Sequence, residues 1–411
     1  MTTSAVASHR PRRTASRLRP AAAAALALAI AFYAPMAFTT FFLDPTGDPE
    51  SARNFQDRVL ALLISPSFAY GVGSGHDGHV PVLVRSFAIM WMHSVVGTLT
   101  LVAGFLQFSD RIRRHAPWLH RLCGYLFILG SWVVATTAIA YLLRTPDAEV
   151  FSGKAFAEIL WVLAAGTLLA PTLALAAIVR RDVAAHREYM AWGFAMICSA
   201  GLLRVGWIVV GQFSTMTKEQ INLTEAAYAG PLLFLGAALY LQRYGGGRLR
   251  RQSPMVLPLA NRAAVLLGLL GVVILGLVWA GTDWAVEGTP QAWVPGREAL
   301  VASWVIPLPL TAAYLAWRVR QAERRGQRAG VVAWRTWLNA TLVSPLVSVG
   351  FLAFALAVHD MPLVEAWWAA SIGWSLALFV AGFNHARVTT RWARRSTPSR
   401  TATTVPEEVL A

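Results

Sequence analysis

Two short stretches set a titratable ring beside a fixed cation at the start of an apolar run: His120-Arg121 in HAPWLHRLCGYLF and His186-Arg187 in AAHREYMAWGF. Neutral imidazole is a good iron ligand. Two histidines on facing helices of a bundle can hold a haem between them, and neighbouring arginines can take its propionates in a bidentate fork. His-Arg pairs at a bilayer edge have a plainer use as well, meeting lipid phosphates or capping helix ends. Both uses stay open at this point.

A second set of polar residues lies inside apolar runs, where ionisable groups are costly and face protein or water rather than lipid. His93, Gly97, Thr100, Gly104 and Gln107 follow helical spacing and share one face, as do His186, Met190, Gly193, Ile197, Ala200 and Arg204. Arg204 lies roughly 27 Å along its helix from His186, and His93 about 21 Å from Gln107. His93 and Arg204 are expected to reach similar heights in the outer half, with Glu158 and Arg85 above them, and His93, Arg204 and Glu158 to form an outer site that binds an anion or relays protons. A third group, His76, Asp77 and His79 in GVGSGHDGHV, offers ligands for Zn or Cu, although its glycines equally describe a flexible loop. His359-Asp360 and Asn384-His385 fall at the ends of apolar runs, where polar residues are ordinary, and Trp367 and Trp368 read as an interfacial belt. There is no phosphate-binding glycine loop, HExxH or nucleophile elbow in context.

These groups must be carried by membrane helices. The 411 residues are 56% hydrophobic and 14% charged, against about a quarter charged in soluble domains. Apolar runs of spanning length recur along the chain. We read an all-α polytopic bundle of ten spans, at about residues 21–42, 83–106, 119–143, 155–179, 189–212, 226–243, 263–281, 299–318, 335–358 and 365–384. The first is too long an apolar stretch for a cleaved leader. The net charge of +15 does not indicate nucleic acid, because arginine is concentrated between the runs. Placing both termini in the cytoplasm puts 28 of the 36 Lys/Arg on the inner side, the bias that sets orientation in a cell membrane. Cys123 and Cys198 fall inside apolar runs and read as small packed hydrophobes. The dominance of arginine over lysine, with abundant alanine, suggests a bacterial source.

The expected organisation is a basic tail (1–20), a first span and outer loop (21–82), a polar-lined bundle of spans 2–6 (83–243), a basic linker (244–262), a second helix group of spans 7–10 (263–384) and a second tail (385–411).

The sequence MHSVVGTLTLVAGFLQF, then HRLCGY, then HREYMAWGFAMICSAGLLR, over roughly residues 85–210, resembles a bacterial family described only as predicted membrane proteins with a domain of unknown function. A looser resemblance is to two-haem transmembrane cytochromes b, whose four core helices carry histidine pairs on the first and third and on the second and fourth. That resemblance implies haem b held by His120 and His186, flanked by Arg121 and Arg187. The third core helix, FAEILWVLAAGTLLAPTLALA, has no histidine to pair with His93. Two readings follow: a haem-b electron carrier built on spans 2–5 with a redox partner, or a transporter or small-molecule-binding protein using His93, Arg204 and Glu158.

Overall fold

The structure is a computed structural model and describes residues 18–39, 55–75, 79–242, 248–249, 261–284 and 294–390. Helices dominate it, since a helix satisfies its own backbone where water is absent. Nine of those described are long and apolar enough to cross a membrane. They are span 2 (Phe87–Gln107), span 3 (Pro117–Arg144), span 4 (Gly153–Val179), span 5 (Val183–Gly211), span 6 (Lys218–Leu241), span 7 (Asn261–Ala280), span 8 (Arg297–Arg324), span 9 (Arg328–Ala357) and span 10 (Leu363–Ala386). The expected first span is also a helix, Leu18–Thr39, with Pro35 inside it, but its described apolar stretch, Leu26–Phe38, falls short of that length. The described strands are a two-residue antiparallel pairing of Arg248–Leu249 with Thr389–Thr390.

Local signals fix where the spans begin. Pro117 opens span 3 at the position where a missing N–H costs nothing. Asp182 caps span 5, its Oδ1 accepting from Ala185 N at 3.1 Å. His120 and His186 are therefore each the fourth residue of their helices, at the same face of the protein. We call this the basic face, because it also carries the helix Asp110–His115 with Arg111, Arg113 and Arg114. The opposite end, covered by the short helices Phe55–Leu63, Pro66–Tyr70 and Val80–Arg85, is the loop face.

Spans 2, 3, 4 and 5 pack in sequence, and span 5 returns to touch span 2, closing a four-helix bundle. Span 6 packs on span 5, and the helix Leu18–Thr39 lies against spans 2 and 5. Spans 7 and 8 flank span 9. Span 10 is the best buried of all and touches spans 4, 5, 6 and 9. Its helix is interrupted at Ser371, and span 8 carries a widened π-type turn over Val301–Val305.

Trp367 and Trp368 are not interfacial. Both are buried, and their indole N–H groups donate to Thr282 Oγ1 (3.0 Å) and to the Pro295 carbonyl (3.3 Å). Span 10 is enclosed by protein, so its aromatic residues fill a core in place of a headgroup layer. Cys123 and Cys198 are unbonded thiols, the first buried and the second half-buried.

Small residues let the helices approach closely. A Cβ on Gly271 would come within 2.3 Å of Leu346 N on span 9, and one on Gly268 within 2.0 Å of the Leu342 carbonyl oxygen. Gly276, on the same span, has open space around it. Gly271→Ala is therefore expected to destabilise the protein by about 1–3 kcal/mol through forced separation of spans 7 and 9, while Gly276→Ala is neutral or slightly stabilising. Thermal unfolding of the two variants in detergent checks this; equal midpoints would contradict the contact.

Candidate functional site

At the basic face, the His186 Nδ1–H donates to the Ala174 carbonyl of span 4 at 2.9 Å, which turns Nε2 away from the backbone. Among the described residues, no hydrogen bond is made by that Nε2. His120 lies close enough that the charges of His186 and Arg113 act on its ring. Its carbonyl accepts from Gln107 Nε2, while its own Nδ1 is buried with no hydrogen-bond partner. Spans 2, 3, 4 and 5 thus all contribute to holding the two imidazoles. Toward the membrane interior lie Phe127, which is fully buried, and Phe194, with Phe108 at the end of span 2 packed against Phe194. Gly104 and Gly193 admit these rings: a Cβ on Gly104 would meet Phe194 at 2.6 Å. Arg121 is exposed, with its Nε–H on the Pro117 carbonyl at 3.4 Å, and Arg187 is half-buried.

A histidine whose Nδ1–H is held by a carbonyl presents Nε2 as the ligating atom in a fixed orientation. His186 meets that condition, and His120 supplies a second imidazole with unused hydrogen-bonding capacity.

The three residues expected to make an outer site sit in three separate surroundings. His93, half-buried, turns Nδ1 to the Val134 carbonyl and Thr137 Oγ1 of span 3, both at 3.1 Å. Arg204 lies over the Trp207 ring, with its guanidinium carbon 3.9 Å from the centroid, and the charges acting on it come from Tyr33, Glu225 and Asp57. Glu158 is buried on span 4, 3.9 Å from His359 Nε2 and in the field of Asp147 and Glu365. Arg85 lies before span 2 and pairs with Glu149.

Several polar contacts join residues that lie far apart in the chain and carry no shared motif. Lys218 Nζ meets Asp57 at 2.8 Å with both side chains buried, and lies 4.9 Å from the Trp207 ring. Glu225 is buried against Gly206, where any Cβ would collide with its carboxyl. Glu188 and His385, both buried, stand 3.5 Å apart near the basic face. Glu365 accepts from Ala155 N at 3.1 Å. A charged residue seven positions after Lys218 was the available signal for Glu225. Glu225 falls one residue before the predicted span 226–243, whereas the helix begins at Lys218 and buries it.

Of the loop ligands, His76 and Asp77 lie outside the described residues. His79 Nε2 contacts Glu219 Oε1 at 2.7 Å, and its Nδ1 lies 3.2 Å from the Glu149 carbonyl. Among the described residues, no group of three or more His, Cys, Asp or Glu is placed to hold a metal ion.

Residues 90–234 match the family model described as "Predicted membrane protein (DUF2306)". The match runs from span 2 into span 6 and includes His120, His186, Arg204 and Glu225. No curated protein and no solved structure matches the chain. The protein is an integral, multi-pass, helical membrane protein.

The Lys218–Asp57 contact makes a direct prediction. Lys218→Met removes the ammonium from a buried carboxylate and is expected to cost about 3–5 kcal/mol. Adding Asp57→Asn should recover most of that loss, because a neutral amide carries a far smaller desolvation cost than a carboxylate. Unfolding midpoints of both single variants and the double variant provide the measurement. Strictly additive losses would mean that the two charges do not act together.

Proposed function

We propose that the protein is a haem-b-binding membrane electron carrier, in which His120 and His186 would hold the haem. The observation behind this reading is that His186 is held through Nδ1 on the Ala174 carbonyl, with His120 at the matching position of span 3 on the same face. A bis-imidazole haem supplies a one-electron couple whose potential follows its axial ligands and the polarity around it.

The chain's own residues have definable tasks in this reading. Ala174 fixes the tautomer and rotation of His186. Gln107 holds the first turn of span 3 through the His120 carbonyl. Phe127 and Phe194 exclude water from the inner side. Arg121 and Arg187, next in sequence to the two ligands, are the cations available to propionates.

Purified protein from haem-replete cells should show a Soret band and a sharp α-band on dithionite reduction. His120→Ala or His186→Ala should abolish both while the protein stays folded. A flat visible spectrum of the folded wild-type chain overturns the proposal.

We further infer that the basic face is cytoplasmic, with both termini on that side of the cell membrane. The support is the distribution of arginine between the spans. In a cysteine-free background, Phe213→Cys, on an exposed position at the loop face, should react with an impermeant maleimide in intact cells. Gln327→Cys, between spans 8 and 9, should react only after lysis. The reverse pattern would invert the assignment.

A further inference from the structure

At the loop face, far from the paired histidines, three side chains form a line from the surface into the protein. Asp147, in the turn Asp147–Glu149 before span 4, has a side chain 31% exposed. His359, between spans 9 and 10, is 22% exposed and places Nδ1 3.1 Å from Asp147 Oδ2. Its Nε2 lies 3.9 Å from Oε1 of Glu158, whose side chain is 4% exposed. The next residue after the histidine, Asp360, takes a left-handed backbone (φ 46°), so the turn carrying His359 is held in a specific bend.

Glu158 is the unusual member. Both of its oxygens are buried without a hydrogen bond. The charges acting on it are those of two more carboxylates, Asp147 and Glu365. Lys154, one turn earlier on the same span, gives no relief, because its ammonium is taken up by the carbonyls of His359 (2.8 Å) and Asp360 (3.4 Å). Glu365 is itself committed to Ala155 N. A buried carboxylate with like charges around it and no donor in reach is costly in its ionised form. The group that best relieves this is the smallest cation.

We propose that Glu158 is a proton-binding site filled from the loop face through Asp147 and His359. An imidazole can accept a proton at one nitrogen and release one from the other. A proton passes from Asp147, or from water beside it, to Nδ1, and the Nε2 proton leaves for Glu158, which becomes a neutral carboxylic acid. The ring ends with the charge it began with, and no redox partner is needed. Closing 3.9 Å to hydrogen-bond length takes a ring movement of about 1 Å. The site is independent of the histidine pair at the basic face, and its test does not involve haem.

Infrared difference spectra of the full chain in lipid nanodiscs, recorded across a pH step, provide that test. The expected result is a protonated-carboxyl band that shifts in D2O, titrates with pH and is missing in Glu158→Gln. In His359→Gln the band should keep its final amplitude but form about 100-fold more slowly, the loss expected when a positioned acid–base group is removed. Asp147→Asn should slow it as well, and this keeps the relay testable if Glu158→Gln fails to fold. A band unchanged in Glu158→Gln, or one forming at wild-type rate in both relay variants, overturns the proposal.

Discussion

Lys218 and Asp57 meet at 2.8 Å inside the loop-facing end of the protein, and much of that end is arranged around their contact. Neither charge would be tolerable there alone, so the helix Phe55–Leu63 must sit on the head of span 6. Trp207 lies under both Lys218 and Arg204, its face lending attraction to each cation. Leu60, Ala69 and Ile221 pack around the same indole and exclude water from the pair. Further polar links follow from this seating. Ser152 donates to the Glu219 carbonyl, Asn222 donates to Ser152, and His79 reaches Glu219. The extramembrane cap is thus joined to spans 4, 5 and 6 by side chains that satisfy one another.

The membrane helices were legible because the hydrocarbon imposes one length and one chemistry on each. The shared depth of His120 and His186 was legible as well, since depth follows from position along a helix and both residues stand one turn inside their spans. Azimuth was not legible in the same way. Arg204 and Glu158 lie toward the same face, yet Arg204 turns to Tyr33 and Glu225 while Glu158 turns to His359. Rise per residue gives height, but the direction a residue faces depends on which neighbours its helix acquires. The contacts that decide this bridge long separations, from Asp57 to Lys218 and from Asp147 to His359, and a single sequence carries no trace of them. Span 10 shows the same limit. Its tryptophans have the composition of an interfacial belt, and only the surrounding spans 4, 5, 6 and 9 make them core residues.

Between the two polar levels lies a layer of a different kind. Trp192, Trp337 and Trp374 are almost completely buried, as is Phe127, and Phe379 and Phe383 pack edge to face beside them. Four hydroxyls within this layer turn back onto their own helices: Ser131 to the Phe127 carbonyl, Thr341 to Trp337, Ser344 to Thr341 and Ser371 to Trp368. A hydroxyl whose proton is already given to a backbone carbonyl is poorly placed to pass another along. These hydroxyls do not form a polar chain joining Glu158 near the loop face to Glu188 and His385 near the basic face. An ion or proton held at one end is thus separated from the other by aromatic packing. Span 10 runs past both polar levels, with Glu365 in the field of Glu158 at one end and His385 3.5 Å from Glu188 at the other.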